Sequence, residues 1–364
     1  MNRTDPKSNA PIMMLSAGNG FIMQSEKYSR DNAGQSLKKY ILLKQGELAY
    51  NHGASKAKQF GCCYELTEPE ARIPYVYHCF KINDHEYTPF IAMALNNAKM
   101  DKQLKRLVSS SVRMDGLLNI SFEDYMSVTL HLPSSTEQKH IADFLKKIDE
   151  RIAAQEKLLA SLKKYKRGLL MHYFSDDKTQ LWTQCSVSQI GKVITGSTPP
   201  TNDRSNYDGD LLFCAPGDVG EQKYISSTEK RVSPNGFALG RPLPPNSVIV
   251  TCIGLIGKLG IAKTSMITNQ QINALVVSEG FDHEFIYYAF ENFFPEYRSK
   301  VSMQTLPILS KSEFEKLMIK VPDLDVQHKI SSHLAAMDRR IEHTQQELNA
   351  LIEHRRGIMQ QLFI

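Results

Sequence analysis

The chain has 364 residues, of which 41% are hydrophobic and 23% are charged, and its formal net charge is +5. These values indicate a soluble globular protein with room for two domains, and the mild positive charge permits nucleic-acid binding without requiring it. The chain contains no apolar run of about 18 residues, so we expect no membrane span. Its polar N-terminus has no signal-peptide core, so we expect a cytoplasmic protein. The six cysteines form no CxxC pair, which argues against a zinc site or a redox dithiol.

Three segments of the first region, residues 1–131, have clear patterns. Residues 40–51 predict a strand, a turn at Gly46 and a second strand. Residues 89–107 predict one helix with a basic end. Residues 120–133 predict a short helix followed by a strand, and the serine-rich stretch that comes next supplies N-caps for a further helix.

The second region, residues 181–324, follows a polar linker at residues 175–180. Its strands are predicted from β-branched residues, its loop from glycine, proline and asparagine, and its helices from apolar periodicity. The predicted elements are strands at 211–216 and 246–254, a loop at 195–209, a helix at 283–293, and a helix followed by a strand at 309–322.

The chain contains one long internal repeat. Residues 137–174 align with residues 326–363 without a gap, at an offset of 189 residues. Residues 309–322 match residues 120–133 at the same offset, so the repeat extends back into both regions. A repeat of this length indicates a duplicated structural unit, and its period is too long for a solenoid. The sequence therefore predicts two similar halves that each end in a helix.

The repeated segment has the apolar spacing of a coiled coil, because steps of four and three residues separate the apolar positions. Both copies carry a polar residue at the same two seam positions, Gln155/Thr344 and Lys166/Arg355. Such residues fix register and partner at a cost in stability. The apolar seam positions are Ile141, Leu145, Ile148, Ile152, Leu159, Leu162 and Leu169 in the first copy, and Ile330, Leu334, Met337, Ile341, Leu348, Leu351 and Ile358 in the second.

A helix of about 57 Å with one apolar stripe must bury that stripe against a partner. The nearest equal partner is the other copy in the same chain. We therefore expect the two helices to pair head to tail as an intramolecular coiled coil. The alternative is that each copy is an ordinary amphipathic helix packed on its own domain.

The sequence contains no catalytic motif that its spacing supports. There is no GxxxxGK[ST] phosphate loop, no GxSxG or HExxH motif, and no amino-methyltransferase signature. Asp210, Glu221 and Lys223 mimic the D…ExK pattern of metal-dependent nucleases, which is short and common by chance. A nuclease that uses these three residues stays open as an alternative.

The helical repeat resembles a known family, the specificity (S) subunits of type I restriction–modification systems. The first conserved region of that family is similar to residues 132–152, which fit LP-x3-EQ-x2-I-A-x-FL-x2-I-D-x2-I, and to LKKYKRGLLMHYF at residues 162–174. The second conserved region is similar to residues 321–363. Target-recognition domains are similar to residues 182–271, with IGKVITGSTP and TNQQ, and to residues 11–51. The resemblance covers nearly the whole chain.

The resemblance implies an α+β fold with pseudo-two-fold symmetry. Two α/β target-recognition domains would be separated by two long antiparallel conserved helices that form an intramolecular coiled coil. The expected segments are recognition domain 1 at 1–133, helix 1 at 134–174, recognition domain 2 at 175–324, and helix 2 at 325–364. Domain 1 departs from the pattern, because at the same offset the counterpart of residues 182–199 would begin before Met1. We therefore expect domain 1 to be shortened at its start.

The same resemblance implies a function. Each recognition domain would read one half of a split, asymmetric target in double-stranded DNA, and the helices would set the gap between the halves. Two methyltransferase (M) subunits and then restriction (R) subunits would dock on the chain. S-adenosylmethionine and ATP would be held by those partners, so the chain itself would have no cofactor and no catalytic role. The alternatives are a specificity-like regulator or silent variant without active methylation, the nuclease, and a coiled-coil scaffold without a nucleic-acid role.

The side chains that contact DNA are predicted from their chemistry, since phosphates bind Lys and Arg while base edges bind Arg, Asn and Gln. For the KKYKR cluster at residues 163–167 we favour a partner subunit or plain solvation, and Asn269 is a candidate for capping a turn. The predicted DNA-binding residues are Lys27, Arg30, Lys38, Lys39, Asn51, Lys56, Lys58 and Arg113 in the first domain, and Lys223, Arg231, Arg241, Lys258, Gln270 and Gln271 in the second.

Overall fold

The computed structural model describes residues 4–5, 7–27, 34–55, 58–108, 118–220, 222–300 and 307–363, without the side chains of residues 27 and 34–36. The chain divides into two compact units. Unit 1 comprises Met1–Glu156 and Gln346–Ile364, and unit 2 comprises Lys157–Gln345. These units differ from the four predicted segments, because each unit takes one half of each long helix.

Unit 1 is built from short antiparallel strands and helices around two apolar clusters. Its strands are β1 Met13–Ser16, β2 Gly20–Met23, β3 Ile41–Lys44, β4 Leu48–Asn51, β5 Cys62–Glu65, β6 Glu70–Ile73 and β7 His78–Phe80. Its helices are α1 Gln24–Lys27, a 3₁₀ helix at Gly34–Lys39, α2 Thr88–Ala94, α3 Ala98–Leu107, α4 Phe122–Met126 and α5 Ser135–Tyr173, the last of which continues into unit 2. β1 pairs with β2, β3 with β6, and β4 with both β5 and β7.

The strand–turn–strand prediction for residues 40–51 is confirmed by β3 and β4. Gly46 lies between them with a φ of +80°, which side chains other than glycine rarely adopt. The two strands belong to different sheets, because β3 pairs with β6 while β4 pairs with β5 and β7.

The prediction of one helix over residues 89–107 is wrong, because the helix is interrupted between α2 and α3. Two asparagines occupy the break. Asn97 Oδ1 accepts a hydrogen bond from the Met100 N–H at 2.9 Å and so caps α3. Asn96 Nδ2 donates to the carbonyl oxygen of Ala92 at 2.9 Å. Short polar side chains of this kind bind backbone groups that a continuous helix would use.

Unit 2 contains a five-stranded sheet of order β11-β14-β13-β16-β9 and a three-stranded sheet of order β12-β10-β15. Its strands are β8 Thr183–Ser186, β9 Gly191–Thr195, β10 Tyr207–Cys214, β11 Tyr224–Ile225, β12 Lys230–Val232, β13 Val248–Thr251, β14 Leu259–Ala262, β15 Met266–Thr268, β16 Ile272–Val277 and β17 Met318–Val321. Its helices are α6 Asp176–Thr179, α7 Val187–Ile190, α8 Pro234–Leu239, α9 His283–Lys300, α10 Lys311–Lys316 and α11 Leu324–Leu362, with 3₁₀ helices at Arg204–Asn206 and Pro216–Asp218. The predicted strands at 211–216 and 246–254 and the predicted helix at 283–293 are confirmed by β10, β13 and α9.

The helix-then-strand pattern is complete in one copy only. Residues 309–322 form α10 and β17, as predicted. Residues 120–133 form α4, but the strand predicted after it is wrong. β17 exists because β8 pairs with it, and the described residues of unit 1 offer no counterpart of β8. A strand needs such a partner, since its backbone groups must be hydrogen-bonded.

The same contacts occur in both copies of the repeat where the helices begin, at α4 and α5 in the first copy and at α10 and α11 in the second. Ser121 caps α4 and Ser310 caps α10, each in a capping box with the acidic residue three positions later. Gln138 and Gln327 are 0% and 1% exposed. Each donates through Nε2 to the carbonyl oxygen of the proline five residues earlier, at 2.9 Å. The repeat is therefore a repeat of contacts as well as of residues.

The long helices α5 and α11 have 39 residues each. All fourteen predicted apolar seam residues are buried or half-buried, and Leu145 and Leu334 are 0% exposed. The predicted apolar stripe is thus confirmed. Among the described residues, no helix has both the length and the apolar character that crossing a bilayer requires.

Within unit 1, the first half of α5 contacts the second half of α11. Asp149 Oδ2 accepts a hydrogen bond from Arg355 Nη2 at 2.9 Å, and Arg355 Nε donates to the other carboxylate oxygen. Six residues further along α5, Gln155 Nε2 donates to Glu347 Oε2 at 2.7 Å. The partner number falls as the α5 number rises, so the two segments run antiparallel.

Within unit 2, the second half of α5 contacts the first half of α11. Lys166 Nζ lies 2.7 Å from Asp338 Oδ1 and 2.9 Å from Glu291 Oε1. Tyr173 Oη lies 2.5 Å from His333 Nδ1, so these segments also run antiparallel. Burial alone would lower the pKa of Lys166, but the two carboxylates outweigh burial and hold that pKa above its ordinary value. The ammonium group is therefore kept charged.

The two ion pairs are copies of each other. Asp338 repeats Asp149, and Arg355 repeats Lys166, both at the offset of 189 residues. The polar seam position 166/355 therefore binds, in each unit, the aspartate contributed by the other helix copy. These contacts contradict the alternative in which each copy packs on its own domain without meeting the other.

Candidate nucleic-acid interface

The polar segment at residues 195–206, named here the 195–206 loop, is held at both ends. Asn206 is 1% exposed, and its Nδ2 donates to the carbonyl oxygen of Pro200 at 3.1 Å. Tyr207 Oη donates to the carbonyl oxygen of Pro199 at 2.7 Å. The loop is therefore an ordered polar surface on a rigid scaffold, which is a common location for binding residues.

A close backbone approach fixes the start of the loop. A Cβ at Gly196 would lie 2.1 Å from the carbonyl oxygen of Asn269, so only glycine fits there. Ser197 N–H donates to the carbonyl oxygen of Thr268 at 2.9 Å. Asn269 Oδ1 accepts a hydrogen bond from the Gln271 N–H at 3.1 Å, which confirms the predicted turn-capping role of Asn269.

Two predicted DNA-binding residues meet at the 195–206 loop. Arg241 is exposed, and its Nη1 donates to the carbonyl oxygen of Thr195 at 2.9 Å. Gln270 is exposed, and its Oε1 accepts from Thr198 Oγ1 at 2.6 Å. The guanidinium group has five N–H donors and the amide nitrogen has two, so both residues keep donors for an acceptor outside the unit. Phosphate oxygens and purine edges are acceptors of this kind.

The other predicted residues of unit 2 have different surroundings. Lys223 Nζ lies 2.9 Å from Glu284 Oε1 and its side chain is 12% exposed, which argues against a phosphate contact. The side-chain Oε1 of Gln271 accepts from Asn269 Nδ2 at 3.1 Å within the turn. Arg231 is exposed on β12, and Lys258 is half-buried beside Gly220. No contact links these last two to Arg241 or Gln270 among the described residues.

In unit 1, two predicted residues are exposed and two have internal partners. Lys38 and Lys39 are exposed at the end of the 3₁₀ helix, and Lys39 Nζ lies 5.9 Å from the ring centroid of Tyr75. Asn51 Oδ1 accepts from the Gly53 N–H at 2.9 Å, which is a turn contact. Lys58 Nζ donates to the carbonyl oxygen of Asn96 at 2.6 Å. The prediction for unit 1 therefore rests on the Lys38–Lys39 pair. The predictions for the side chain of Lys27 and for Arg30, Lys56 and Arg113 lie outside the described residues.

The nuclease pattern is not assembled among the described residues. Asp210 is exposed on β10, Lys223 is paired with Glu284, and Glu221 lies outside the described residues. In the described part of the chain, no cluster of three or more His, Cys, Asp or Glu side chains is placed to hold a metal ion. In the KKYKR cluster, Lys163, Lys164 and Arg167 are exposed, whereas Lys166 is the partner of Asp338.

Sequence reasoning missed two kinds of functional contact. Thr198, which holds the amide of Gln270, was predicted only as part of a loop. Asp149 and Asp338, the partners of the polar seam residues, stand at equivalent positions of the repeat, and their ion pairs were not predicted. Their shared offset with Lys166 and Arg355 was the signal, since an antiparallel pair of equal helices brings repeated residues together crosswise.

The structure comprises two similar units, and each unit contains one half of each long helix. Unit 2 also carries an ordered polar loop, beside which Arg241 and Gln270 keep hydrogen-bond donors for an outside acceptor. The model of the type I restriction modification DNA specificity domain family matches residues 43–164 and 180–354, which is more than half of the chain. The chain therefore belongs to this family.

Curated relatives agree with this assignment. The chain is 29% identical over 181 residues to the type I restriction enzyme MjaIX specificity subunit of Methanocaldococcus jannaschii, covering 47% of this chain and 41% of that protein. It is 29% identical over 108 residues to the HindI specificity subunit of Haemophilus influenzae, covering 29% and 24%. The matched parts thus span less than half of these relatives.

Solved structures share the fold. The type I restriction–modification S subunit from M. genitalium superposes with a TM-score of 0.60 at 15% identity, covering 99% of this chain and 90% of that chain. A chain from a structure of complex assembly and conformational transition in the type I R-M system has a TM-score of 0.60 at 16% identity, covering 100% and 94%.

We predict that Gly196→Ala destabilises the protein by about 2 kcal/mol, because the added methyl group overlaps the backbone at Asn269. The matched control is Gly217→Ala, whose methyl group would meet no atom within 4 Å. Thermal unfolding followed by circular dichroism measures both. Equal midpoints for the two variants would show that the loop is not fixed by this approach.

Proposed function

We propose that this chain is the DNA sequence-specificity subunit of a type I restriction–modification complex. The observation that carries the proposal is the family match over both halves of the chain, residues 43–164 and 180–354. In this role the chain binds double-stranded DNA and catalyses nothing itself. S-adenosylmethionine and ATP belong to the partner subunits. Co-expression with an adenine methyltransferase subunit tests this role, because sequencing should then reveal methylated adenines at one split target.

Each unit reads one half of a split, asymmetric target. In unit 2, Arg241 lies beside the 195–206 loop and supplies donors suited to a guanine edge or a phosphate. Gln270, beside the same loop, supplies donors suited to an adenine edge. In unit 1, the exposed Lys38–Lys39 pair supplies charge for phosphate contacts. Because the two units have diverged in sequence, the two half-sites differ.

The long helices act as a spacer of fixed length. In this proposal α5 and α11 pair over their whole length as an antiparallel coiled coil. The crosswise ion pairs Asp149–Arg355 and Asp338–Lys166 support it, because two equal helices related by an approximate two-fold axis would make the same contact twice. The same symmetry suits the docking of two identical methyltransferase subunits, with restriction subunits joining later.

We predict that Arg241→Ala weakens DNA binding by the methyltransferase complex about tenfold, since one good base or phosphate contact contributes about 1–3 kcal/mol. Gln270→Ala should relax the sequence preference at one position of one half-site. The matched control is Lys311→Ala, which removes an exposed positive charge of unit 2 that is paired with Glu315. The affinities are measured by fluorescence anisotropy with labelled DNA that contains the target identified by sequencing of methylated adenines. Equal losses of DNA affinity for the control and for Arg241→Ala would show that Arg241 acts through its charge alone and makes no contact at the site.

We predict that inserting one heptad after Gln155 and another after Thr344 lengthens the gap in the target by about three base pairs. Seven residues add about 10 Å to a helix, and base pairs rise by about 3.4 Å. Sequencing of methylated adenines in cells that express the lengthened chain reads the gap directly. A folded, methylating complex with an unchanged gap would contradict the spacer proposal.

A further inference from the structure

Three connecting segments meet at one end of the five-stranded sheet of unit 2. Thr251, the last residue of β13, stands opposite Ile272, the first residue of β16. Thr195, the last residue of β9, stands opposite Asn273 of β16. Because these neighbouring strands are antiparallel, the loop after β13, the turn before β16 and the 195–206 loop all leave the sheet at the same end.

The loop after β13, named here the 252–257 loop, lies beside the turn that carries Gln270. The Cys252 N–H donates to the carbonyl oxygen of Gln271 at 2.8 Å. The same turn contacts the 195–206 loop through the side chain of Gln270. The 252–257 loop therefore extends the polar surface that is the candidate nucleic-acid interface of unit 2.

The backbone of the 252–257 loop is held by hydrogen bonds within unit 2. The Gly257 N–H donates to the carbonyl oxygen of Thr251 at 2.8 Å, which closes the loop. Thr251 Oγ1 donates to the carbonyl oxygen of Leu255. Arg298 Nη1 on α9 donates to the carbonyl oxygen of Gly257 at 3.3 Å. The shape of the loop is thus set by the protein itself.

Packing fixes the loop further and leaves one large apolar side chain outside. Gly257 has a φ of +77°, and a Cβ there would lie 2.5 Å from Cγ of Phe294. Ile256 is 3% exposed and belongs to the core cluster of unit 2. Its neighbour Leu255 is 69% exposed. Single exposed leucines are common, but this one is held at a binding surface by a loop that cannot rearrange to bury it.

The surroundings of Leu255 match the edge of an A·T base pair. In the major groove such a pair presents adenine N6 and N7 beside the C5-methyl group of thymine. The amide of Gln270 is complementary to the adenine edge, and an apolar side chain is complementary to the methyl group. A protein partner fits less well, because the core of a protein–protein interface needs a larger apolar patch than one leucine among polar groups.

We infer that Leu255 is a specificity-determining residue that contacts the C5-methyl group of a thymine in the half-site of unit 2. The inference rests on the proposed function, because it requires that unit 2 reads DNA. The thymine belongs to the A·T pair whose adenine binds Gln270 or to the adjacent pair. Base readout by unit 2 then includes an apolar contact, which selection by charge and amide chemistry does not find.

The test uses the complex of the full chain with methyltransferase subunits and labelled duplexes that contain the target. Each thymine of the target is replaced in turn by deoxyuridine, which lacks only the C5-methyl group. Fluorescence anisotropy measures the affinities. At one position the replacement should weaken binding by the unaltered complex about fourfold, which is the usual contribution of one buried methyl group.

Leu255→Ala should weaken binding of the unmodified target about fourfold and abolish the effect of deoxyuridine at that one position, because the two changes remove the same contact. The matched control is Leu181→Ala, which truncates a leucine of unit 2 that is 98% exposed just before β8. It should bind every duplex as the unaltered complex does. Both side chains are exposed, so both variants should unfold at the temperature of the unaltered chain.

Binding of the target by the unaltered complex, with no thymine whose methyl group is coupled to Leu255, would overturn the inference and leave the proposed function intact. Absence of sequence-dependent DNA binding by the unaltered complex would overturn both. Loss of the methyltransferase subunits from the Leu255→Ala chain would assign this side chain to a protein interface and overturn the choice of partner.

Discussion

A single type of contact, an aspartate of one helix copy bound to a cation of the other copy, joins the two halves of the sequence within each unit. Asp149 binds Arg355 in unit 1, and Asp338 binds Lys166 in unit 2. Neither unit is therefore a continuous stretch of chain that could be complete without the other repeat. Phe363 packs on Phe90 in unit 1, and Leu170 and Ile330 both belong to one core cluster of unit 2.

The two copies of this contact have different environments. The Lys166 side chain is 12% exposed and has a second carboxylate, Glu291, whereas the Arg355 side chain is 33% exposed. Burial raises the pKa of Glu291, and the nearby ammonium group of Lys166 opposes that rise. An ion pair that is mostly shielded from solvent is costly to break, while a more exposed pair contributes about 1 kcal/mol or less. Unit 2 thus depends more strongly on its ion pair than unit 1 does.

Much of the architecture could be predicted from the sequence, because apolar side chains recur with one helical period in both copies of the repeat. The fourteen seam residues gave the apolar stripe, and Gly46 marked a turn. The interruption between α2 and α3 could not be predicted, because it depends on two hydrogen bonds of the Asn96 side chain. One joins it to the backbone of Cys63 on β5, and the other joins it to the backbone of Ala92 on α2. The strand predicted near residue 130 failed for the same physical reason, since a strand depends on a partner that sequence pattern cannot supply.

The candidate interface was less accessible to sequence reasoning. Charge alone selected Lys223 and Lys58, whose ammonium groups have partners inside their units. Arg241 was selected for its charge and Gln270 for its amide, but their importance comes from lying beside one loop, which depends on the close approach at Gly196. Composition identifies residues that are able to bind nucleic acid, whereas tertiary contacts decide which of them remain available.

The antiparallel pairing of the helix halves is tested most directly by cross-linking within unit 1. Asp149→Cys combined with Arg355→Cys should give an intrachain product with a short bis-maleimide in dilute solution, since these residues are in contact. Gln155→Cys combined with Glu347→Cys should also give an intrachain product, because these two residues are in contact as well. Segments that ran in the same direction with residue 149 beside residue 355 would place residue 155 about 21 Å along α11 from residue 347. Cross-linking of the first pair without the second would therefore contradict the account.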